Sequence, residues 1–459
     1  MTVDRRPLTV DYITMKHLTP ILLALLIPII SYAQFAGEWK GKLVMGQTEL
    51  ALVFKFAQHD SVVTGTLDVP QQGAKNLPID KIYVSDNIIS LSISAIGFNY
   101  DGKLDESNST IEGSMSQNGY SFPLVLKPNI KVNRPQTPKS PFPYLQEEVV
   151  FYNSSDGNKL AGTLVKPLMM NANTPVAVLI SGSGQQNRDE ELMEHKPFWV
   201  IADHLARNGI ATLRYDDRGI GGSEGKNLIS ATTATFKNDA LSAIEFLKAK
   251  GLKNIGVIGH SEGGLIAFML GAESTDLKFI ISLAGTAVSG DQILIEQNRL
   301  LLEKSDVPTD IINSYCDLLK EIYNIKRNAT TFDKETTITE LKAKYSHLPA
   351  QLTNNIAALL QPQPWIDFFI TYDPTNDLKN IKCRTLALNG ENDLQVIASQ
   401  NIEAIKQHIP SNLLTTKTYP ALNHLFQHST TGMPNEYYQI EETISPEVLS
   451  DITQWIKTK

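Results

Sequence analysis

The sequence predicts an α/β fold: a doubly wound, mostly parallel sheet with a helical cap insertion, preceded by a small antiparallel β domain. Three observations carry this. Residues 145–459 alternate short apolar, β-branched runs with helical segments, the order that builds a parallel sheet covered on both faces. Residues 35–127 instead show period-two runs separated by Gly, Asn, Asp and Gln turns. Between them, "KPNIKVNRPQTPKSPFPY" holds five prolines and almost no apolar periodicity, so 128–144 reads as an extended linker.

At 459 residues the chain is long enough for two or three units, and 42% hydrophobic with 20% charged residues marks it as folded. The net charge of -8 disfavours nucleic acid as a partner, and no Lys/Arg stripe with interleaved aromatics reverses that. Cys316 and Cys383 are too few for a disulfide framework and lack metal-ligand spacing, so they read as buried thiols.

Residues 1–34 read as a leader and signal peptide. "MKHLTPILLALLIPIISYAQ" has a charged start at Met15, an apolar stretch from Leu18 to Ile30, and small residues before Ala33 or Gln34. That apolar stretch is short against the roughly 20 residues of a membrane span. An uncleaved anchor helix is the competing reading. Residues 1–14 do not suit a signal, which points to a start at Met15. The mature protein is therefore expected to be exported, periplasmic or extracellular, with no stable membrane span.

In the β domain, "EWKGKLVM", "TELALVFKFAQ", "SVVTGTLDV", "KIYVSDNIISLSIS", "FNYDGKL", "STIEGSMS" and "YSFPLVLK" are strands of a small barrel or sandwich. Such a barrel either binds a ligand as a lipocalin does or serves as an accessory domain. The lack of a polar constellation favours the second. After the linker, "EEVVFYN" and "KLAGTLVKP" form an opening hairpin. "PVAVLISGSG", "IATLRYDDRG", "NIGVIGHS", "FIISLAGTA" and "RTLALNGEND" are buried strands, and "LLTTKTYPALNHL" is the last. "ATFKNDALSAIEFLKAKG" is a helix ended by Gly251, and "SPEVLSDITQWIKTK" a closing helix with Ser445 as N-cap. Residues 288–375 break the rhythm with helical periodicity and form a cap over one end of the sheet. Its Trp365, Phe368, Phe369 and Tyr372 either line an apolar substrate pocket or pack the cap on the core.

The chemistry centres on "GHSEGG". Ser261 falls between the strand "NIGVIG" and the helix "GGLIAFMLG", with small residues at 259 and 263, as a strained nucleophile turn requires. A serine hydroxyl needs a base at neutral pH. Asp393 lies just past "RTLALNG" and His424 just past the next strand, so His424 is the expected base and Asp393 its orienting partner. Glu391 competes with Asp393, and His428 with His424. His260 and His204 read as structural. The oxyanion donors are expected to be the backbone N–H groups of Glu262 and, from the loop "LISGSGQQNRDEE", Ser183. A dinucleotide-binding turn fails in this loop, because Asn187 stands at the third glycine position, and in "RGIGGSEG", where Glu224 does.

Together "SGSGQQNRDEE", "LRYDDRGIGGSEG", "GHSEGG", "GENDLQV" and "LNHLFQ" resemble the α/β-hydrolase superfamily, in particular the bacterial serine esterases with a Gly-His-Ser-Glu-Gly-Gly elbow. The resemblance covers residues 145–459. It implies a carboxylic ester hydrolase with Ser261, Asp393 and His424 as triad, and it suggests that Asp216, Asp217 and Arg218 shape the loop beside the site. Ser181 departs from many hydrolases, where a histidine often begins the oxyanion loop.

The leading expectation is an exported serine esterase for small-molecule esters of short or medium acyl chains, needing no cofactor and no metal. A serine peptidase of prolyl-oligopeptidase or aminopeptidase type shares the triad order, and "NRDEELMEH" offers it an acidic cluster for a peptide amino end. A non-catalytic binding protein is the third reading.

Overall fold

A computed structural model describes residues 35–45, 48–59, 62–105, 110–117, 119–129, 132–328 and 332–458. The expected signal segment, residues 1–34, lies outside the described residues. The described chain divides into two compact units at residues 131/132.

The first unit is an all-antiparallel sheet of nine strands: β1 (Gly37–Met45), β2 (Thr48–His59), β3 (Val62–Val69), β4 (Ala74–Pro78), β5 (Lys81–Ser85), β6 (Ile88–Ile93), β7 (Phe98–Asp105), β8 (Thr110–Gln117) and β9 (Tyr120–Pro128). Their order is β4-β3-β2-β1-β9-β8-β7-β6-β5. The edge strands β4 and β5 are consecutive in the chain. Ile79 N–H donates to Gly65 O beside β4, and Asp80 N–H to Ser92 O beside β5 (3.1 and 3.0 Å). One extended run thus pairs first with β3 and then with β6, so a single stretch of chain forms both end strands of the sheet. Alternate residues point inward, as in β7, where Phe98, Tyr100 and Leu104 are buried. The Phe54 ring lies 6.0, 6.1 and 5.8 Å from those of Phe56, Phe98 and Tyr100, so the barrel interior is a packed core.

The second unit begins inside the stretch that sequence reads as linker. Arg134 donates to the carbonyls of Tyr438 and Ile440 at 2.8 and 2.9 Å, and the Gln136 amide bonds the backbone of Thr443 and Ile444. This half of the proline-rich segment is strapped down rather than free. The hairpin β10 (Tyr144–Tyr152) and β11 (Lys159–Pro167) follows, then β12 (Val176–Ile180), α1 (Pro197–Arg207), β13 (Ala211–Tyr215), α2 (Thr233–Ala249), β14 (Ile255–His260), α3 (Glu262–Glu273) and β15 (Phe279–Leu283). The cap contributes α4 (Gly290–Lys304), α5 (Thr309–Asn328), α6 (Lys334–Lys344), α7 (Ala350–Thr353), α8 (Ile356–Leu359), α9 (Pro364–Thr371) and α10 (Thr375–Lys379). The chain closes with β16 (Arg384–Gly390), α11 (Ala398–His408), β17 (Leu414–Tyr419) and α12 (Pro446–Lys457).

The sheet order is β10-β11-β13-β12-β14-β15-β16-β17, antiparallel through β13 and parallel beyond it. Successive strand residues face opposite layers. Val176, Val178 and Ile180 pack with α2, α3 and α11, while Ala177 and Leu179 pack with α1 and α12. Helices on both faces explain why the central strands read as unbroken apolar runs rather than alternating ones. Ser445 stands at the cap position of α12, but its hydroxyl makes no capping bond; Pro446 at the first helical position starts the helix instead. Cys316 and Cys383 are buried and unpaired. No helix of the described residues is long and apolar enough to cross a membrane.

Candidate active site

Ser261 joins β14 to α3 with φ 55° and ψ -117°, a backbone conformation that a residue with a side chain rarely adopts. Its neighbours explain why the turn is so tight. A Cβ on Gly259 would lie 1.9 Å from the Gly263 carbonyl oxygen, and one on Gly263 would lie 2.1 Å from that of Ile180. Only glycine fits either place. The turn is also pinned by the Ser261 N–H, which donates to Leu283 O on β15 at 2.9 Å. Ser261 is thereby presented at the carboxyl end of the parallel sheet, at the N-terminus of a helix whose first N–H groups have no intrahelical acceptor.

The loops after β16 and β17 meet at the same end. His424 Nδ1 lies 2.8 Å from Asp393 Oδ2, and both side chains are buried. Asp393 is fixed in turn: its Oδ1 accepts from the N–H groups of Gln395 and Val396, and its Oδ2 from the Asn389 amide. His424 sits in a tight loop whose Asn423 side chain accepts from the backbone of Leu425 and Gln427. The alternatives lie elsewhere. Glu391 accepts from Thr418 Oγ1, and His428, with 63% of its side chain exposed, bonds Glu442. Among the described residues no hydrogen bond joins Ser261 Oγ to His424. Such a bond commonly tightens only when substrate is bound.

Side chains from neighbouring loops hold the loop after β12 in place. Gly182 approaches the elbow so closely that a Cβ there would be 3.1 Å from Ser261 Cβ. Its N–H is already engaged, donating to Glu190 Oε1 at 2.8 Å, so any donor this loop offers must come from a later residue, such as Ser183. Asp217 accepts from Ser181 Oγ and from the Gln186 N–H, and burial pushes its carboxyl up to about 8. Asp216 holds Arg188 through two side-chain bonds and one backbone bond. Arg218, fully buried, is bidentate to Asp239 at 2.7 Å and also bonds Asp156. These three residues support the loops and are turned away from chemistry by their partners.

Strand order, crossover helices, a positive-φ serine after the third parallel strand and a bonded Asp–His pair after the last two decide the matter. The second unit has the α/β-hydrolase fold.

The family described as serine aminopeptidase, S33, matches residues 196–312. An acyl transferase of Shewanella hanedai is 26% identical over 203 residues, 43% of this chain and 62% of that protein. The esterase EstD of Thermotoga maritima is 23% identical over 287 residues, 61% of this chain and 62% of its own. The chain thus spans less than two thirds of the length of these curated relatives. An esterase structure from Pyrococcus furiosus superposes with a TM-score of 0.42 at 16% identity, covering 71% of this chain and 97% of that one.

In this second unit the cap is anchored beside the elbow. Trp365 on α9 donates its indole N–H to Glu262 Oε1 at 2.8 Å, and Thr233 Oγ1 at the start of α2 donates to the same oxygen at 2.7 Å. Burial raises the Glu262 carboxyl above its ordinary range despite these two donors. Phe369, 5% exposed, stacks on Trp365 and packs against Leu265, Met269 and Ile293. Phe368 stacks on Tyr372, whose hydroxyl bonds Asp377. The pocket expectation gives way to packing for Phe369, and Tyr372, just past α9, is held by Asp377 on α10. Trp365 stays at the site through Glu262.

Three acids of the cluster after β12 are paired within the unit. Asp189 pairs with Arg214 and Lys196, Glu191 with Lys196, and Glu190 with His260. Sequence reading passes over Glu190 as one acid among several and takes His260 as structural. Their pairing spans 70 residues, so no local spacing signals it. Among the described residues no cluster of His, Cys, Asp or Glu is arranged to hold a metal ion.

Proposed function

We propose that the second unit is a serine hydrolase cleaving small-molecule carboxylic esters of short or medium acyl chain through an acyl-enzyme on Ser261. The carrying observation is the strained Ser261 elbow set beside a buried Asp393–His424 pair. His424 takes the Ser261 proton as Oγ attacks the acyl carbon, then gives it to the leaving alcohol; Asp393 holds the imidazole tautomer and stabilises its charged form. The N–H groups of Glu262 and Ser183 receive the tetrahedral oxygen. Water then attacks the acyl-enzyme, with His424 again as base, and frees the acid.

A second reading, aminopeptidase action, has the matched family's description behind it. Against it, three of the four acids in the "NRDEELMEH" stretch, Asp189, Glu190 and Glu191, already face Arg214, Lys196 and His260. The names of the relatives also admit acyl transfer to an acceptor other than water, which would share the same acyl-enzyme.

The test is a panel of p-nitrophenyl esters of increasing acyl length beside aminoacyl-p-nitroanilides. Turnover of esters, with fluorophosphonate labelling lost in Ser261→Ala, supports the proposal. Turnover of the anilides alone, or equal labelling of variant and wild type, overturns it. Export belongs to the same proposal, on the strength of residues 15–34. Cell fractionation that leaves the chain in the cytoplasm overturns that part.

A further inference from the structure

His260, the residue before the proposed nucleophile, is buried, and both of its ring nitrogens face acceptors. Nδ1 lies 2.9 Å from Glu190 Oε1, and Nε2 lies 3.0 Å from the His424 carbonyl oxygen. A carbonyl oxygen can only accept. Glu190 Oε1 also receives the Gly182 N–H, so that oxygen acts as an acceptor as well. A neutral imidazole carries one N–H and would leave one of these contacts as lone pair against lone pair. With Glu190 ionised, the geometry calls for a proton on each nitrogen.

We propose that Glu190 and His260 form a buried carboxylate–imidazolium pair that positions the oxyanion loop and the His424 loop around Ser261, and that loss of the His260 proton loosens both. The proposal rests on the reading of Ser261 as nucleophile.

Three connections converge on the pair. Glu190 holds Gly182, from which Ser183 projects; His260 is continuous with the Ser261 turn; and His260 Nε2–H ties down the backbone of His424 itself. The groups facing His260 agree with a retained proton. Glu190 comes from the oxyanion loop and His424 from the loop after β17, with ring centroids 4.7 Å apart, and the negative charge of Asp393 acts from beyond it. Helix α1, β15 and the chain before α12 present only apolar side chains here, including Phe198, Leu283 and Ile444. Burial, the largest single influence, opposes charge on His260, but the Glu190 carboxylate, the His424 carbonyl and the charge of Asp393 together outweigh it, and its pKa is raised above the ordinary histidine value. Deprotonation removes one N–H and breaks one of the two bonds, so the positioning is lost as pH rises. The result is an alkaline limb in kcat that belongs to neither Ser261 nor His424.

The test is side-chain 1H–15N NMR of the uniformly labelled full chain at about pH 7.5, where an unperturbed histidine is mostly neutral. The His260 signal is assigned by its disappearance in His260→Gln. Both nitrogens protonated in the wild type, and a neutral ring in Glu190→Gln, support the pair; a neutral wild-type ring overturns it. In kinetics, Glu190→Gln is expected to lower kcat about tenfold to a hundredfold, as displaced oxyanion and base groups do. KM should change little, and the double variant with His260→Gln should lose no more than the worse single variant. An unchanged kcat–pH profile in a folded Glu190→Gln overturns the positioning role. If that variant does not fold, the wild-type spectrum and the His260→Gln profile decide. Fluorophosphonate labelling reports on Ser261 separately. An imidazolium His260 in a chain that the probe does not label leaves the pair standing and removes the proposed reaction.

Discussion

Replacing Ser261 by glycine should stabilise the second unit while abolishing turnover, and replacing it by alanine should abolish turnover without the gain in stability. Both changes remove Oγ, so their difference reports the backbone. At φ 55° and ψ -117° a side chain costs about 1–3 kcal/mol in local strain, which glycine relieves. Glycine also loosens the unfolded chain, which gives back about 0.4–1 kcal/mol. The net expectation is Ser261→Gly more stable than Ser261→Ala by about 0.5–2 kcal/mol. Equilibrium urea unfolding followed by tryptophan fluorescence measures it as a shift in midpoint at constant slope. Trp199, Trp365 and Trp455 report on the second unit. The flanking glycines should respond with the opposite sign: in Gly263→Ala the new methyl meets the Ile180 carbonyl of a central strand, 2.1 Å away, and neither backbone has room to yield. If Ser261→Gly proves less stable than Ser261→Ala, the strained-elbow account fails.

Trp365→Phe leaves a buried carboxyl with one donor instead of two, so thermal denaturation should show a loss of about 1–2 kcal/mol, and the ester panel a changed acyl-length preference; unchanged values in both would show that the Trp365–Glu262 bond does not anchor the cap. Arg218→Met strands Asp239 in the interior and should cost about 3–5 kcal/mol by urea unfolding, a loss partly recovered by adding Asp239→Leu; a small effect of the single change would mean that water reaches Asp239. Asp217 titrates near 8 in the fold against 3.8 in a model peptide, so between those values the native state keeps a proton that the unfolded chain has released. Its contribution to stability therefore falls as pH rises through this window, by up to about 1.4 kcal/mol per pH unit. Asp217→Asn should remove that slope, and Tm curves of the two proteins that run parallel from pH 5 to 8 would count against a neutral Asp217.

The division into a β unit and an α/β unit is legible because each sheet writes its own period. Strands with one wet face alternate, as in β7, and strands covered on both faces run apolar, as in β12. The elbow is legible for a similar reason. Gly259 and Gly263 are local steric demands of a turn six residues long, and Asp393 and His424 each follow a recognisable strand. The linker was harder to read. Prolines report the loss of backbone donors, but the anchoring of Arg134 and Gln136 depends on carbonyls and amides some 300 residues away.

The sequence by itself therefore determined the sheet class, the strained serine turn and the strand ends that carry Asp393 and His424, since each is encoded by periodicity or by neighbours within one loop. Only the tertiary structure decided which acid His424 meets, that the cap reaches the elbow through Trp365 and Glu262, and that Glu190 stands opposite His260. Those are contacts between side chains brought together from distant parts of the chain. Their energies depend on distance and burial, and neither quantity exists until the sheet has assembled.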